Sequence, residues 1–266
     1  MSTLKGSLHI HSTYSDGEFK LIELREIFLS SGFRFACVTD HAEWFDAAKV
    51  DAYVKECAAL SDERFQFVPG LEFECEQKMH ILGYGMTTRL ATRDPVQAIR
   101  GIRAAGGIAV IAHPKDEAFA WIESFDELPD GIEAWNTKYD GRFAPRPETF
   151  RLIQRLQERR PDLLAFYGQD LHWKKQYRGM FIELHGESTE RQHVLQALRS
   201  GDYSARNGGI ELTSSGAVSE ETLAKFSAVQ QRYARVRQWL KLMKKATDHV
   251  GIPVPGRVKA QLRRIF

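Results

Sequence analysis

Two histidines stand two residues apart near the start of the chain, His9 and His11, and Asp16 follows them in a Ser-Asp-Gly loop. The same residue types return wherever a short apolar run stops. Asp40 and His41 follow FACVT, Glu72 lies in PGLEF, His80 in MHILGY, His113 after IAVIA, and Asp170 with His172 after LLAFYGQ. Imidazole nitrogens and carboxylate oxygens together suit Zn, Mn or Fe, and a carboxylate can bridge two such ions. Taken alone, each element has an ordinary reading: packed histidines, a loop cap, a turn before proline. The recurrence argues for more, because the chain has nine histidines and six of them fall in this set.

Residues so far apart meet only if the elements that carry them share one end. Apolar runs at 6–11, 35–40, 65–73, 79–84, 108–112, 131–135, 163–168 and 180–184 read as strands. Between them, helical patterns cover 20–31, 46–62, 95–105 (stopped by Gly106-Gly107) and 147–159, which opens after two prolines. Strands alternating with helices predict a mostly parallel sheet, and the lack of a glycine-rich dinucleotide fingerprint favours a closed α/β barrel. Such a barrel gathers its strand ends at one rim. Alternation along a strand would turn His9 and His11 to the same face.

The bulk composition sets limits. A chain of 266 residues, 43% hydrophobic and 27% charged, is ordinary for a folded globular protein and large enough for one substantial core. Three cysteines without paired spacing, Cys37, Cys57 and Cys75, are expected to be buried apolar residues in a reducing compartment. The first residues lack the apolar segment of a signal peptide, and no apolar run reaches the ~18 residues of a membrane span, so a cytoplasmic location is expected. The net charge of +2 divides unevenly: +8 over Ala217–Phe266 and −6 over the rest. From Leu223, apolar residues at Phe226, Val229, Tyr233, Val236, Leu240 and Met243 make one helical stripe, with Lys225, Arg232, Arg235, Arg237, Lys241, Lys244 and Lys245 largely off it. A second short basic amphipathic piece lies within 251–266. We therefore expect a barrel over 1–216 and a basic helical extension over 217–266. The extension would pack on the barrel or on a second copy; the sharper alternative is that it binds nucleic acid or an acidic membrane surface. The oligomeric state is left open.

In order and spacing the segments HIHSTYSDG, VTDH, GLEFE, MHILGYG, AHP and GQDLH resemble the polymerase and histidinol phosphatase (PHP) superfamily. The resemblance spans about residues 5–175. It implies a distorted (β/α)7 barrel and a trinuclear centre of divalent transition-metal ions (Zn, Mn or Fe). By the resemblance, His9, His11, Glu72 and Asp170 would hold one ion; a bridging Glu72, His80 and His113 a second; and Asp16, His41 and His172 a third. Glu74 is the rival for the bridging role, and Asp40 is expected to orient a histidine. Glu72, Asp170 and His172 are the catalytic candidates. The activity implied is hydrolysis of a phosphoester by a metal-bridged hydroxide. The substrate expected is a small phosphomonoester or nucleotide, then a short oligonucleotide. An amide or carbamate hydrolase is the alternative. Lys115, Arg142 and Arg178 are candidates to bind substrate phosphate, each also readable as a solvated loop charge. Trp44 and Trp135 could stack a base or sugar or simply pack. The segment around Arg206 and Asn207 resembles the later part of stand-alone members.

Overall fold

The computed structural model describes residues 3–186 and 188–250, the last seven of these as backbone only. The basic piece expected within 251–266 lies outside the described residues, as do the side chains of Lys244 and Lys245.

Seven strands form the barrel: β1 Thr3–Ile10, β2 Phe35–His41, β3 Gln66–Glu74, β4 His80–Tyr84, β5 Ile108–Ala112, β6 Gly131–Asn136 and β7 Leu164–Gly168. They follow in order across the sheet. Each neighbouring pair is parallel except those of β4, which runs antiparallel to both β3 and β5. The segment just past β7 returns to β1: Gln169 N–H donates to Leu8 O at 3.1 Å, Leu171 N–H to His9 O at 3.2 Å, and His11 N–H to Leu171 O at 3.0 Å. These bonds close one rim. At the other end Ala165 N–H donates instead to Ser214 O at 2.7 Å. There β8 Phe181–His185, β9 Tyr203–Asn207 and β10 Ile210–Thr213 extend the sheet, antiparallel, from the free edge of β1.

Among the described residues seven α-helices accompany this nearly closed sheet: α1 Leu21–Ser30, α2 Ala47–Ala59, α3 Pro95–Ala104, α4 Phe119–Glu123, α5 Pro147–Gln157, α6 Arg191–Ser200 and α7 Glu220–Val250. Local chemistry sets their ends. Asp46 and Asp94 accept from the N–H groups of Lys49 and Gln97, capping α2 and α3. Proline opens α3 and α5, where a missing N–H costs nothing, and Gly106 takes a left-handed φ of 77° just past α3. The strands are apolar almost without break because helices cover one face while the barrel interior fills the other. Tyr84 of β4 and Phe166 of β7 stack across the interior at 5.8 Å, so the space beneath the rim is packed rather than open.

The expected α/β barrel is present. Four elements were not legible beforehand: α4, α6, β9 and β10. The last two are short strands with one charged residue each, Arg206 and Glu211, joined by Gly208-Gly209 with both glycines at positive φ. All three cysteines are free and buried, and burial raises their thiol pKa values, to about 12 for Cys75. They pack, as expected, and no disulfide forms among the described residues. Among the described residues no helix is long and apolar enough to cross a membrane.

The α7 stripe divides. Leu223 and Phe226 are buried, Phe226 lying 6.2 Å from the ring of Phe150 in α5. Val229 packs at the edge of the core, while Val236 and Met243 are exposed. Truncating the anchor tests this docking. Phe226→Ala is expected to cost ~3 kcal/mol in urea denaturation, in line with buried aromatic deletions. A loss under about 0.5 kcal/mol would mean that α7 is not held there.

Candidate metal centre

Glu72, near the end of β3, is the hub. Its carboxylate is 1% exposed. Its Oε1 lies 2.8 Å from His80 Nδ1, 3.3 Å from His113 Nε2 and 3.5 Å from His9 Nε2. Its Oε2 lies 3.2 Å from His11 Nε2 and 3.3 Å from His41 Nδ1. Five histidines from four strands and their extensions thus face one carboxylate. His80 joins them from the start of its strand rather than the end. Because β4 is antiparallel, pairing His80 with Glu74 and Ala112, its first residue sits at the rim where its neighbours finish.

Asp170 is the second focus. Its Oδ1 lies 3.1 Å from His172 Nδ1 and 3.6 Å from His11 Nε2, and its Oδ2 lies 3.7 Å from His113 Nε2. Asp16, more exposed, places Oδ1 3.2 Å from His172 Nε2, 3.6 Å from His41 Nε2 and 3.7 Å from His11 Nδ1. Four overlapping groups have ligand atoms within 4.8 Å of one another: His11, Asp16, His41 and His172; His9, His113 and Asp170; His9, His11 and Glu72; and His41, Glu72 and His80. The nine residues singled out in the sequence therefore come together. The grouping differs in detail from the family-based division: His113 joins His9 and Asp170, and His41 shares Glu72 with His80.

Backbone strain accompanies this convergence. His9, His113 and Asp170 have φ values of 59°, 29° and 49°, in the left-handed region that side chains avoid. Each costs ~1–3 kcal/mol and persists only where the surroundings impose it. These three form one of the four groups. The register of β1 on β2 shifts between Ser7 and Ile10, and β1 ends before His11. A bulge, not simple strand alternation, therefore brings His9 and His11 to one side.

The charge balance points the same way. Burial opposes charge on His9, but Glu133, Asp170 and Glu72 outweigh it and hold its pKa well above the ordinary value. Burial likewise opposes charge on Glu72 and Asp170, yet the surrounding imidazoles keep both well below the carboxylate range. Burial also opposes charge on His172, and Asp16 and Asp170 overcome it, raising the pKa to about 9. His11, fully buried, shifts down through burial. The carboxylates demand positive charge in a place that excludes water. Meanwhile His9 Nε2 and both ring nitrogens of His11 are buried without a hydrogen bond in proper geometry, although carboxylate oxygens are near. Orphaned imidazole nitrogens facing buried carboxylates fit divalent metal ions.

A second layer holds the first, and its principal member was not singled out in the sequence. Glu133 of β6, completely buried, accepts from His9 Nδ1 at 2.9 Å, from the His113 backbone N–H at 2.9 Å and from Asn136 Nδ2 at 2.8 Å. It fixes the ring of one candidate ligand and the strained backbone of another. Gly168 leaves it room: a Cβ there would collide with Glu133 Oε1 and come within 2.8 Å of His9 Cβ. Glu133 could have been noticed as the one charge inside the apolar run GIEAW. Asp40 does not orient a histidine, contrary to expectation. It accepts from Ser12 N–H at 2.8 Å and Ser12 Oγ at 2.7 Å, and from Ser15 N–H at 3.1 Å and Ser15 Oγ at 2.6 Å. Serines claim it because they lie on the loop folded over the end of β2, so it holds the loop that carries Asp16. Glu74 points elsewhere, pairing with Arg93 at 2.6 Å.

The expected phosphate-binding cations fare differently. Lys115 is exposed on the loop after His113. Arg142 and Arg178 approach Tyr233 of α7 rather than the carboxylates. The cation brought to the cluster is Lys138, which the sequence reading passed over. Its Nζ lies 3.0 Å from Asp170 Oδ1 and 3.4 Å from His172 Nδ1. Tyr139 stands 4.6 Å from the ring of His113, half exposed. Trp44 is exposed on the turn after His41, whereas Trp135 is buried and donates to Gly141 O at 2.9 Å. Arg206 pairs with Glu183 and Glu211, and Asn207 Nδ2 donates to Arg142 O. Replacing the supporting carboxylate gives a test. Glu133→Gln is expected to weaken metal binding about 10–100-fold, measured by competition with a chromogenic chelator. Unaltered affinity would deny Glu133 its orienting role.

The model of the PHP domain family matches residues 7–250. The DNA polymerase/3'-5' exonuclease PolX of Bacillus subtilis (strain 168) is 32% identical over 82 residues, which make up 28% of this chain and 14% of that protein. A solved two-domain protein from Bacteroides vulgatus, containing a predicted PHP-like metal-dependent phosphoesterase, superposes with a TM-score of 0.53 at 16% identity, covering 84% of this chain and 68% of that one. An amidohydrolase from Chromobacterium violaceum, solved with sulfate and no metal, gives a TM-score of 0.51 at 16% identity, covering 76% and 97%. At such identities the structural likeness is one of fold. The family match spans nearly the whole rim set and the barrel that carries it: the chain belongs to the PHP domain family.

Proposed function

We propose that this chain hydrolyses a phosphoester at the Glu72–Asp170 cluster, using three divalent ions. The observation that carries the reading is Glu72, a buried carboxylate faced by five histidines. Three ions would draw on the four overlapping groups: His9, His11 and Glu72, with His113 and Asp170 joining through His9, for one; Glu72 with His41 and His80 for a second; and His11, Asp16, His41 and His172 for a third. When bound, such ions lower the pKa of water and polarise phosphoryl oxygens. The proteins named as phosphoesterase and exonuclease among the relatives support phosphorus as the centre attacked.

The chain's own groups do the rest. Glu72 and Asp170 keep their negative charge under burial, because the imidazoles around them stabilise it. His172 would turn Nε2 to the third ion beside Asp16, while its Nδ1 faces Asp170 and fixes the ring. Lys138 reaches the cluster from the 136–142 loop and is the side chain best placed to orient a phosphoryl oxygen. Asn136 Nδ2, 3.3 Å from Asp170 Oδ2, steadies that carboxylate. A small phosphomonoester, a nucleotide or a short oligonucleotide would fit this chemistry.

Chelation should abolish turnover of p-nitrophenyl phosphate or its diester, and added Mn, Fe or Zn should restore it. Full activity of the metal-free protein would sink the reading, as would turnover confined to the amides and carbamates of a mixed ester panel. Lys138→Ala is expected to lower kcat/KM about 100-fold while leaving bound metal unchanged by elemental analysis. Loss of metal instead would assign Lys138 to the architecture of the centre.

A further inference from the structure

Three arginines gather around Tyr233 and Phe143. Tyr233 of α7 packs on Phe143, ring centroids 4.8 Å apart. The Arg142 guanidinium lies 5.3 Å from the Phe143 ring and that of Arg237 5.7 Å from the Tyr233 ring. Arg178 interacts electrostatically with Tyr233, Arg142 and Arg237 alike. Burial, then the like charges of Arg142 and Arg237, push its pKa down against an opposing pull from Tyr233. Three guanidinium groups on one patch of surface make a positive field that favours an anion, and guanidinium is well shaped to bind phosphate oxygens.

The scaffold ties this cluster to the centre. Arg142 lies on the loop between β6 and α5 that also carries Lys138, and Arg178 follows the segment that carries Asp170 and His172. Asn207 Nδ2 donates to Arg142 O at 3.1 Å, and Gln230 Nε2 of α7 donates to Asp140 O at 2.8 Å and to Ala144 O. The Arg178 backbone N–H donates to Gln169 Oε1, next to Asp170. Exposed rings line the same rim, each under a cation. Tyr139 has Lys138 Nζ at 5.3 Å and Trp173, next to His172, has Lys175 Nζ at 5.0 Å. Exposed aromatic faces interleaved with cations are what stacked bases and their backbone require.

We propose that Arg142, Arg178 and Arg237 form a second anion site that holds a backbone phosphate of a single-stranded oligonucleotide, with Tyr139 and Trp173 offering ring faces to its bases. Placing a neighbouring phosphate at the metal centre rests on the hydrolytic reading above; the anion site itself does not.

The test is fluorescence anisotropy of an end-labelled eight-nucleotide single strand with the full chain in EDTA, where no turnover occurs. Arg237→Glu and, separately, Arg142→Glu should each raise Kd tenfold or more, and Arg237→Lys should recover most of the affinity. The slope of log K against log salt should fall by about one. Unchanged Kd in both charge reversals overturns the site. So does loss of binding to phosphatidylserine vesicles in Arg237→Glu with oligonucleotide Kd intact, which would assign the cluster to a membrane surface. A metal-loaded chain that cleaves no phosphoester, yet loses the oligonucleotide on Arg237→Glu, keeps this site and sinks the hydrolytic reading. A chain that cleaves phosphoesters with oligonucleotide Kd insensitive to both reversals does the reverse.

Discussion

A buried carboxylate must meet positive charge or lose its own, and here Glu72, Glu133 and Asp170 are all buried within 3.8 Å of one imidazole, that of His9. Much of the rim answers that constraint. Imidazoles crowd Glu72 from β1, β2, β4 and β5, Lys138 reaches Asp170, and Asn136 spans Glu133 and Asp170. Such a cluster would be a poor way to stabilise a core, since apolar residues would pack there without the desolvation cost. The cluster is instead suited to hold cations, and the strain at His9, His113 and Asp170 falls on three of its candidate ligands. Left-handed backbone at three candidate ligands is tolerated because the surrounding bonds leave no alternative.

The barrel seam makes those bonds. Where the segment past β7 rejoins β1, Leu171 and His9 exchange backbone contacts, and Asp170 and His172 arrive beside His9 and His11. Below the rim the seam opens and the β8–β10 sheet intervenes, with Ser214 taking the backbone of Ala165. The barrel is thus closed where the chemistry requires convergence. Gly168, just before the seam, leaves the space that Glu133 fills.

α7 joins this arrangement by its first half. Leu223 and Phe226 bury it against α5, and Gln230 then reaches the loop from Asn136 to Arg146. The extension is therefore coupled to the loop that presents Lys138, Tyr139 and Arg142. Beyond Tyr233, Val236, Trp239, Leu242 and Met243 are exposed, so the stripe read from the sequence serves packing over only part of its length.

The sequence by itself determined the order of β1 to β8 and most of the helices between them, the barrel class and the nine residues of the rim. Apolar runs and ligand-type side chains are local properties, and each ligand candidate ends, begins or closely follows a run. Which residues support them was decided by the tertiary structure. Glu133 sits inside an apolar strand and becomes meaningful only because β6 faces His9 across the barrel. Asp40, beside a candidate ligand in sequence, turns to Ser12 and Ser15 because the loop folds over it. Lys138 and Arg142, five residues of loop with one composition, part company because one reaches Asp170 and the other meets α7. Such partners depend on side chains that are distant in sequence, and periodicity carries no record of distance across a barrel.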